Sequence, residues 1–301
     1  MAAVAEPQQQ LAWEARWRPR AGMAAVVAGL LTLAGFMWTA FAFRDLPQSW
    51  FAQSLQQALQ PGAIGGQPSL RTPEYEFYDG LSFTFIGSSL VRGLAYLAFA
   101  YAITFLAVST RARRPELPRI VVYISLVGAV LLAVAGVLGG IGTVVAVNTF
   151  LDGPRTVDAA GDVATDSLLL TANLISQLAP LLVAAGLLLV SLNAMRVGLL
   201  TRFLGILGMI SGALAVLSQF VFSFLQAFWL IAIGFLFLGI QRGGLPPAWR
   251  TGQAEPWPGR QPVAPRGGAA APAAEPVAEP AQAPVGRPHP SSKKRKRKRR
   301  D

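Results

Sequence analysis

The run from Ile120 to Leu151 carries no charged side chain, and nothing else in the chain constrains the fold as strongly. A helix of that length, at about 1.5 Å per residue, exceeds the roughly 30 Å hydrocarbon core of a bilayer. Three further runs behave alike. Ala21–Phe43 is uncharged, Leu81–Ser109 holds only Arg92, and Leu168–Leu192 is uncharged. Charged residues make up 14% of the chain, against about 25% in soluble domains, so lipid is expected to replace water over much of the surface.

The last apolar block, Phe203–Gln241, is too long for one crossing, because a single helix would measure nearly 60 Å. A hairpin resolves the excess, with spans at 203–217 and 222–240 and a turn near Ser218–Ser223. The expectation is therefore all-α: a polytopic transmembrane bundle of six spans at about 21–43, 81–109, 120–151, 168–192, 203–217 and 222–240. The first span is read as uncleaved, although Ala40-Phe41-Ala42 resembles a signal-peptidase site.

Orientation follows from the basic residues beside the spans. Arg16, Arg18, Arg20, Arg111, Arg113, Arg114, Arg119, Arg196, Arg202, Arg242, Arg250 and Arg260 share one side, while Arg44, Arg71 and Arg155 share the other. That bias places both termini in the cytoplasm and the bundle in the inner (plasma) membrane, in a chain whose Ala, Gly, Pro and Arg usage suggests a bacterial source.

Four segments follow: a cytoplasmic N-terminal segment 1–20, the membrane domain 21–241, a linker 242–292 and a polybasic tail 293–301. The linker is rich in Pro, Ala and Gly without apolar periodicity, so disorder is expected. The tail run Lys293, Lys294, Arg295, Lys296, Arg297, Lys298, Arg299 and Arg300 supplies 8 of 26 basic residues and Asp301 one of 15 acids; the rest nets 18 − 14 = +4. The high net charge thus belongs to the tail. Such a run binds anionic lipid, each cation contributing about 1 kcal/mol near the surface, or nucleic acid without sequence preference.

Outside the spans, Trp13 and Trp17 are expected as interfacial anchors. Pro47–Leu59 has the pattern of an amphipathic helix lying on the membrane or on the bundle. Asp152, Asp158, Asp162 and Asp166 make an acidic loop, with Asp166 placed to cap the fourth helix. Their spacing is wider than a calcium loop uses.

Arg92 is the one ionisable residue well inside a span, where an Arg usually faces the bundle or a watery cavity. Asn173 and Gln177, four apart on one face of the fourth span, are its candidate neighbours. Together they are a candidate polar cluster for an anion or lipid headgroup, with an Arg that snorkels outwards or acts as structural glue as the plainer reading. Gly136 with Gly140, and Gly208 with Gly212, allow close helix approach, within the bundle or in a homo-oligomer.

Cysteine is absent, and the single histidine, His289, lies in the linker. Disulfides, thiolate metal sites and a histidine base inside the bundle are thereby excluded. No phosphate-binding loop, zinc-protease motif or serine-nucleophile elbow occurs. No catalytic, cofactor-binding or metal-binding residues are expected, and the chain reads as a non-enzymatic membrane protein with a lipid- or polyanion-binding tail. The alternative is a small-molecule or ion transporter or channel-like protein using the Arg92 region.

The segment FWLIAIGFLFLGIQRGGLPPAWRTGQAEPWP, residues 228–258, resembles the end of uncharacterised actinobacterial multi-pass integral membrane proteins. In those, a last helix runs into a Gly/Pro-rich link and a PAW…AEPWP-like stretch. The resemblance implies a bacterial inner-membrane location and no activity.

Overall fold

A computed structural model describes residues 7–46, 55–57, 59, 65–217, 219–241 and 244–255. Six rods dominate: α1 (Pro7–Ala42), α3 (Ser82–Arg113), α4 (Arg119–Asp152), α6 (Ser167–Arg196), α7 (Arg202–Leu217) and α8 (Gln219–Leu238). Three short helices accompany them: α2 (Thr72–Gly80), α5 (Val157–Ala164) and α9 (Ala248–Thr251). No strand is formed among the described residues; a lone bridge joins Pro68 to Thr156. The chain is thus all-helical, and α1, α3, α4 and α6 are each long and apolar enough to cross a membrane. α7 and α8 have 16 and 20 residues, and their apolar stretches are shorter.

Local sequence sets the ends of these helices. The Asp166 carboxylate accepts the backbone N–H groups of Leu168 and Leu169 at 3.0 and 3.1 Å, the cap expected at the start of α6. Thr156 does the same for α5 through Ala159 N. Pro118 precedes α4, and Gly252 ends α9 in the left-handed conformation that favours glycine.

Consecutive rods pack side by side, and α8 returns to α1, so the six form a closed ring in chain order. Every contact in that ring is antiparallel. Between lipid-solvated helices the hydrophobic effect adds little, so association rests on close van der Waals packing. Small residues provide it. A Cβ at Gly29 of α1 would lie 2.8 Å from the Ala227 carbonyl of α8; one at Gly128 of α4, 2.8 Å from Val183 N of α6. Of the pairs singled out in the sequence, Gly208 meets Ser191 and Trp229, Gly212 meets Ala184, and Gly140 meets Phe85 and Ser89. Gly136 has open space beside it. The Trp229 indole donates to the Leu204 carbonyl at 2.9 Å and ties α8 back onto the start of α7.

α7 leaves its neighbour early. Gly205 faces Met195, Gly208 faces Ser191 and Gly212 faces Ala184 and Leu188 on α6. Continued at that register, Leu217 comes level with about Leu182, roughly 20 Å short of the far end of α6. The ring is therefore incomplete in the half away from the basic end.

Two findings depart from the sequence expectations. α1 begins at Pro7 and runs unbroken through Pro19, so Trp13 to Arg20 belong to the same 36-residue helix as the first span. The PAW stretch beyond α8 was expected to be loose chain, yet Ala248 and Trp249 are buried against the bundle. Residues 256–301, including the rest of the linker and the polybasic tail, lie outside the described residues. So does most of the amphipathic pattern at 47–59, of which Leu55–Gln57 is described and helical.

Candidate anion-binding site

Where the ring is incomplete, α1, α3 and the start of α8 enclose a half-open cavity of about 390 Å³. Its walls are Thr32, Phe36, Thr39, Ala40 and Phe43 of α1, Arg92, Ala95 and Tyr96 of α3, and Ser223 of α8. Gly35 makes the site geometrically feasible, because a Cβ there would sit 2.9 Å from Arg92 Cγ. The missing side chain lets the Arg92 stem cross the α1 backbone and reach the cavity. Arg92 is level with Gly35, about 22 Å along α1 from Arg20, so it lies in the half of the bundle away from the basic end.

Among the described residues, Arg92 forms no ion pair; the five ion pairs present involve other arginines. An Arg at membrane depth costs on the order of 3 kcal/mol, and no carboxylate among the described residues offsets that cost. The Thr32 and Thr39 hydroxyls donate to carbonyls of their own helix, at 2.7 and 2.9 Å, so neither proton is directed at a ligand. Directed donation in the cavity comes from the Arg92 fork, beside the Tyr96 phenol, with Phe36 and Phe43 as apolar walls. A planar fork of N–H donors matches the paired oxygens of a carboxylate or phosphate. The cavity volume is in the range of small-molecule sites.

Asn173 and Gln177 are not among the residues lining this cavity. They continue the stripe of α6, through Ala184, Leu188 and Ser191, that packs on α7. Because α7 stops before reaching them, both remain exposed. Packing through α4 puts them at the depth of Arg92: Gly93 lies on Val137, and Gly139 on Ala172. The candidate residues thus share a level and flank the opening in the ring without touching.

A second polar centre lies at the basic end, and sequence reasoning missed it. Arg113 and Glu14 form a paired-fork ion pair, Nη2 to Oε2 at 2.9 Å, with side chains 0% and 3% exposed. The same guanidinium donates to the Ala248 carbonyl at 2.7 and 3.2 Å and to the Ser109 carbonyl at 3.1 Å. It also sits over the Trp249 ring. Trp249 stacks on Phe105, which stacks on Trp13, and the Trp249 indole donates to Leu199 O at 2.8 Å. Glu14 is fastened further by Gln10. With the Arg113 N–H groups all taken by Glu14, Ala248 O and Ser109 O, this centre is a clamp. Trp13 and Trp17, expected as interfacial anchors, are partly buried and pack on the bundle core.

At the opposite end, α2 and α5 cap α4 through Tyr75, which is buried against Phe150. Arg71 forms an ion pair with Glu74, and Glu74 accepts the Tyr78 phenol at 2.9 Å. Burial, the bond to Glu74 and the nearby carboxylate charge push the Tyr78 phenol up to about 12. The acidic residues of this end do not gather: among the described residues no group of three or more His, Cys, Asp or Glu is arranged to hold a metal ion.

In comparisons with known proteins, the chain matches no family model, no curated protein and no solved structure.

Proposed function

We propose that this protein is a non-enzymatic, six-crossing membrane protein that binds an anionic amphiphile in the Arg92 cavity. Both termini are placed in the cytoplasm and the bundle in a bacterial inner membrane. One observation supports the binding reading above the rest: a guanidinium at membrane depth faces a half-open cavity, and no carboxylate among the described residues pairs with it. The ligand chemistry follows from the walls. A carboxylate or phosphate head meets Arg92 and Tyr96, and an apolar body lies along Phe36 and Phe43.

The test is a titration of the full-length protein with dodecyl phosphate and with dodecanol, read by thermal unfolding. A charge-assisted hydrogen bond contributes about 1.5–3 kcal/mol, so Arg92→Gln is expected to weaken phosphate binding about 10- to 100-fold and leave dodecanol unchanged. Equal phosphate affinity in the variant would refute the reading. Flux of the same anion in proteoliposomes, lost in Arg92→Ala, would make the protein a transporter using this site.

A second activity rests on the sequence of the tail. KKRKRKRR begins 293 − 255 = 38 residues beyond Glu255, a tether that as a flexible chain would span on the order of 30 Å and so reach the anionic leaflet or a cytoplasmic polyanion. A liposome assay with and without the eight tail charges separates it from the cavity: neutralising the tail abolishes vesicle clustering and leaves dodecyl phosphate binding intact.

A further inference from the structure

Between α1 and α3, at the basic end, a second groove of about 260 Å³ is lined by Trp13, Trp17, Tyr101, Thr104, Phe105 and Val108. We infer that this groove holds one acyl chain of an anionic phospholipid from the leaflet at the basic end, with Arg16 and Arg20 on its phosphate. The site is separate from the Arg92 cavity and does not depend on it.

Three observations specify the occupant. The first is depth. Ala21 opens the uncharged run of α1, so Arg20 stands at the hydrocarbon boundary and Trp17 one turn outside it. From that level the groove runs inward along α3, where Tyr101 and Val108, 39% and 37% exposed, stand level with the start of the uncharged run and open it to lipid.

The second is charge. The Arg20 and Arg16 guanidiniums lie 4.9 and 5.8 Å from the centre of the Trp17 ring. Neither pairs with a carboxylate among the described residues, because the one acid in this part of α1, Glu14, is bound by Arg113. Both cations are exposed beside Trp17, one wall of the groove, and are free to meet the phosphate diester of a lipid whose chain lies inside. The third is an unsatisfied group: the Thr104 hydroxyl is buried in the groove wall without a partner. Side chains cover it in this structure, and a chain entering the groove that parts them would bring a glycerol-ester carbonyl, the next polar group of a phospholipid after its phosphate, to this donor. Aromatic walls, a basic rim and one recessed hydroxyl together match the order of groups along such a lipid.

The test uses full-length protein in phosphatidylcholine nanodiscs containing a small fraction of chain-brominated lipid, with tryptophan quenching as readout. Brominated phosphatidylglycerol is expected to quench at a lower mole fraction than brominated phosphatidylcholine. Equal quenching by the two lipids overturns the inference. Arg16→Gln with Arg20→Gln should reduce the preference about fivefold for each charge removed, and Arg16→Lys with Arg20→Lys should retain it. Substituting the eight tail cations by Gln should leave it unchanged. If the preference survives Arg16→Gln/Arg20→Gln, or disappears with the tail charges alone, the groove is not the site.

Discussion

Replacing Glu14 by Gln preserves the length of the side chain and removes the charge that faces Arg113. The guanidinium keeps its bonds to Ala248 O and Ser109 O but loses the carboxylate, in a setting where it is fully buried. Removing one partner of a buried pair costs about 3–5 kcal/mol, chiefly because the other charge is left uncompensated. Since Gln retains one acceptor, the lower part of that range is expected for Glu14→Gln, and the upper part for Glu14→Ala. Either is a large share of the roughly 5–15 kcal/mol that holds a folded domain. Replacing both residues, Glu14→Leu with Arg113→Met, removes the stranded charge. Its cost should shrink to the loss of an acceptor for the Gln10 amide, about 1–3 kcal/mol, since the Ala248 carbonyl keeps the Gly252 N–H at 3.2 Å. The assay is unfolding in mild detergent for Glu14→Gln, for Glu14→Leu and Arg113→Met singly and for the pair, with proteolysis between residues 244 and 255 as a local readout. A loss below about 1 kcal/mol in Glu14→Gln would refute the clamp, as would a double variant whose loss equals the sum of the singles.

Other outcomes follow from the packing and from the far end. Gly29→Ala should cost about 1–3 kcal/mol, since its Cβ meets the Ala227 carbonyl, while Gly136→Ala should gain about 0.5–1 kcal/mol by helix propensity; thermal unfolding ranks the two. The Tyr78 phenol is held above its ordinary value of 10.0, so its contribution is complete below pH 10 and is lost as the pH rises through about 12. A phenolate absorbance titration should show a late phase that Tyr78→Phe reduces by one phenol. Reporter fusions after Arg114, Arg202 and Asp301 should read cytoplasmic, and those after Asp162 and Ser218 external; an external Asp301 refutes six crossings.

The four long helices were legible because an uncharged run longer than a bilayer has few other solutions; the bounds of α3, α4 and α6 fall within a few residues of those read from the charges, while α1 starts fourteen residues earlier, at Pro7. The hairpin was legible from length alone. Its early departure from α6 was not, since depth depends on which glycine faces which helix, as Gly212 does Ala184. The N-terminal part of α1 was hidden by its own composition: Arg16, Arg18, Pro19 and Arg20 read as a flank, and only tertiary contacts carry the helix through Pro19. Glu14 and Arg113 are separated by 99 positions, and a single acid among arginines gives no sign of its partner. The level shared by Arg92, Asn173 and Gln177 was readable from spacing. The gap that keeps them apart was not.

Closing the ring between its first and last long helices also fixes when, during synthesis, the bundle can be completed. Gly29 and Ala227, which bring α1 and α8 together, are 227 − 29 = 198 residues apart. At roughly 5–20 residues per second, α1 waits about 10–40 s in the membrane before α8 is synthesised. Arg113 arrives about halfway through that interval, so α1 is moored to α3 by its acid while its glycine face still lies against lipid. The last hairpin to leave the ribosome is then the closing segment, and a chain released before it keeps an open ring with the α1 seam unpaired.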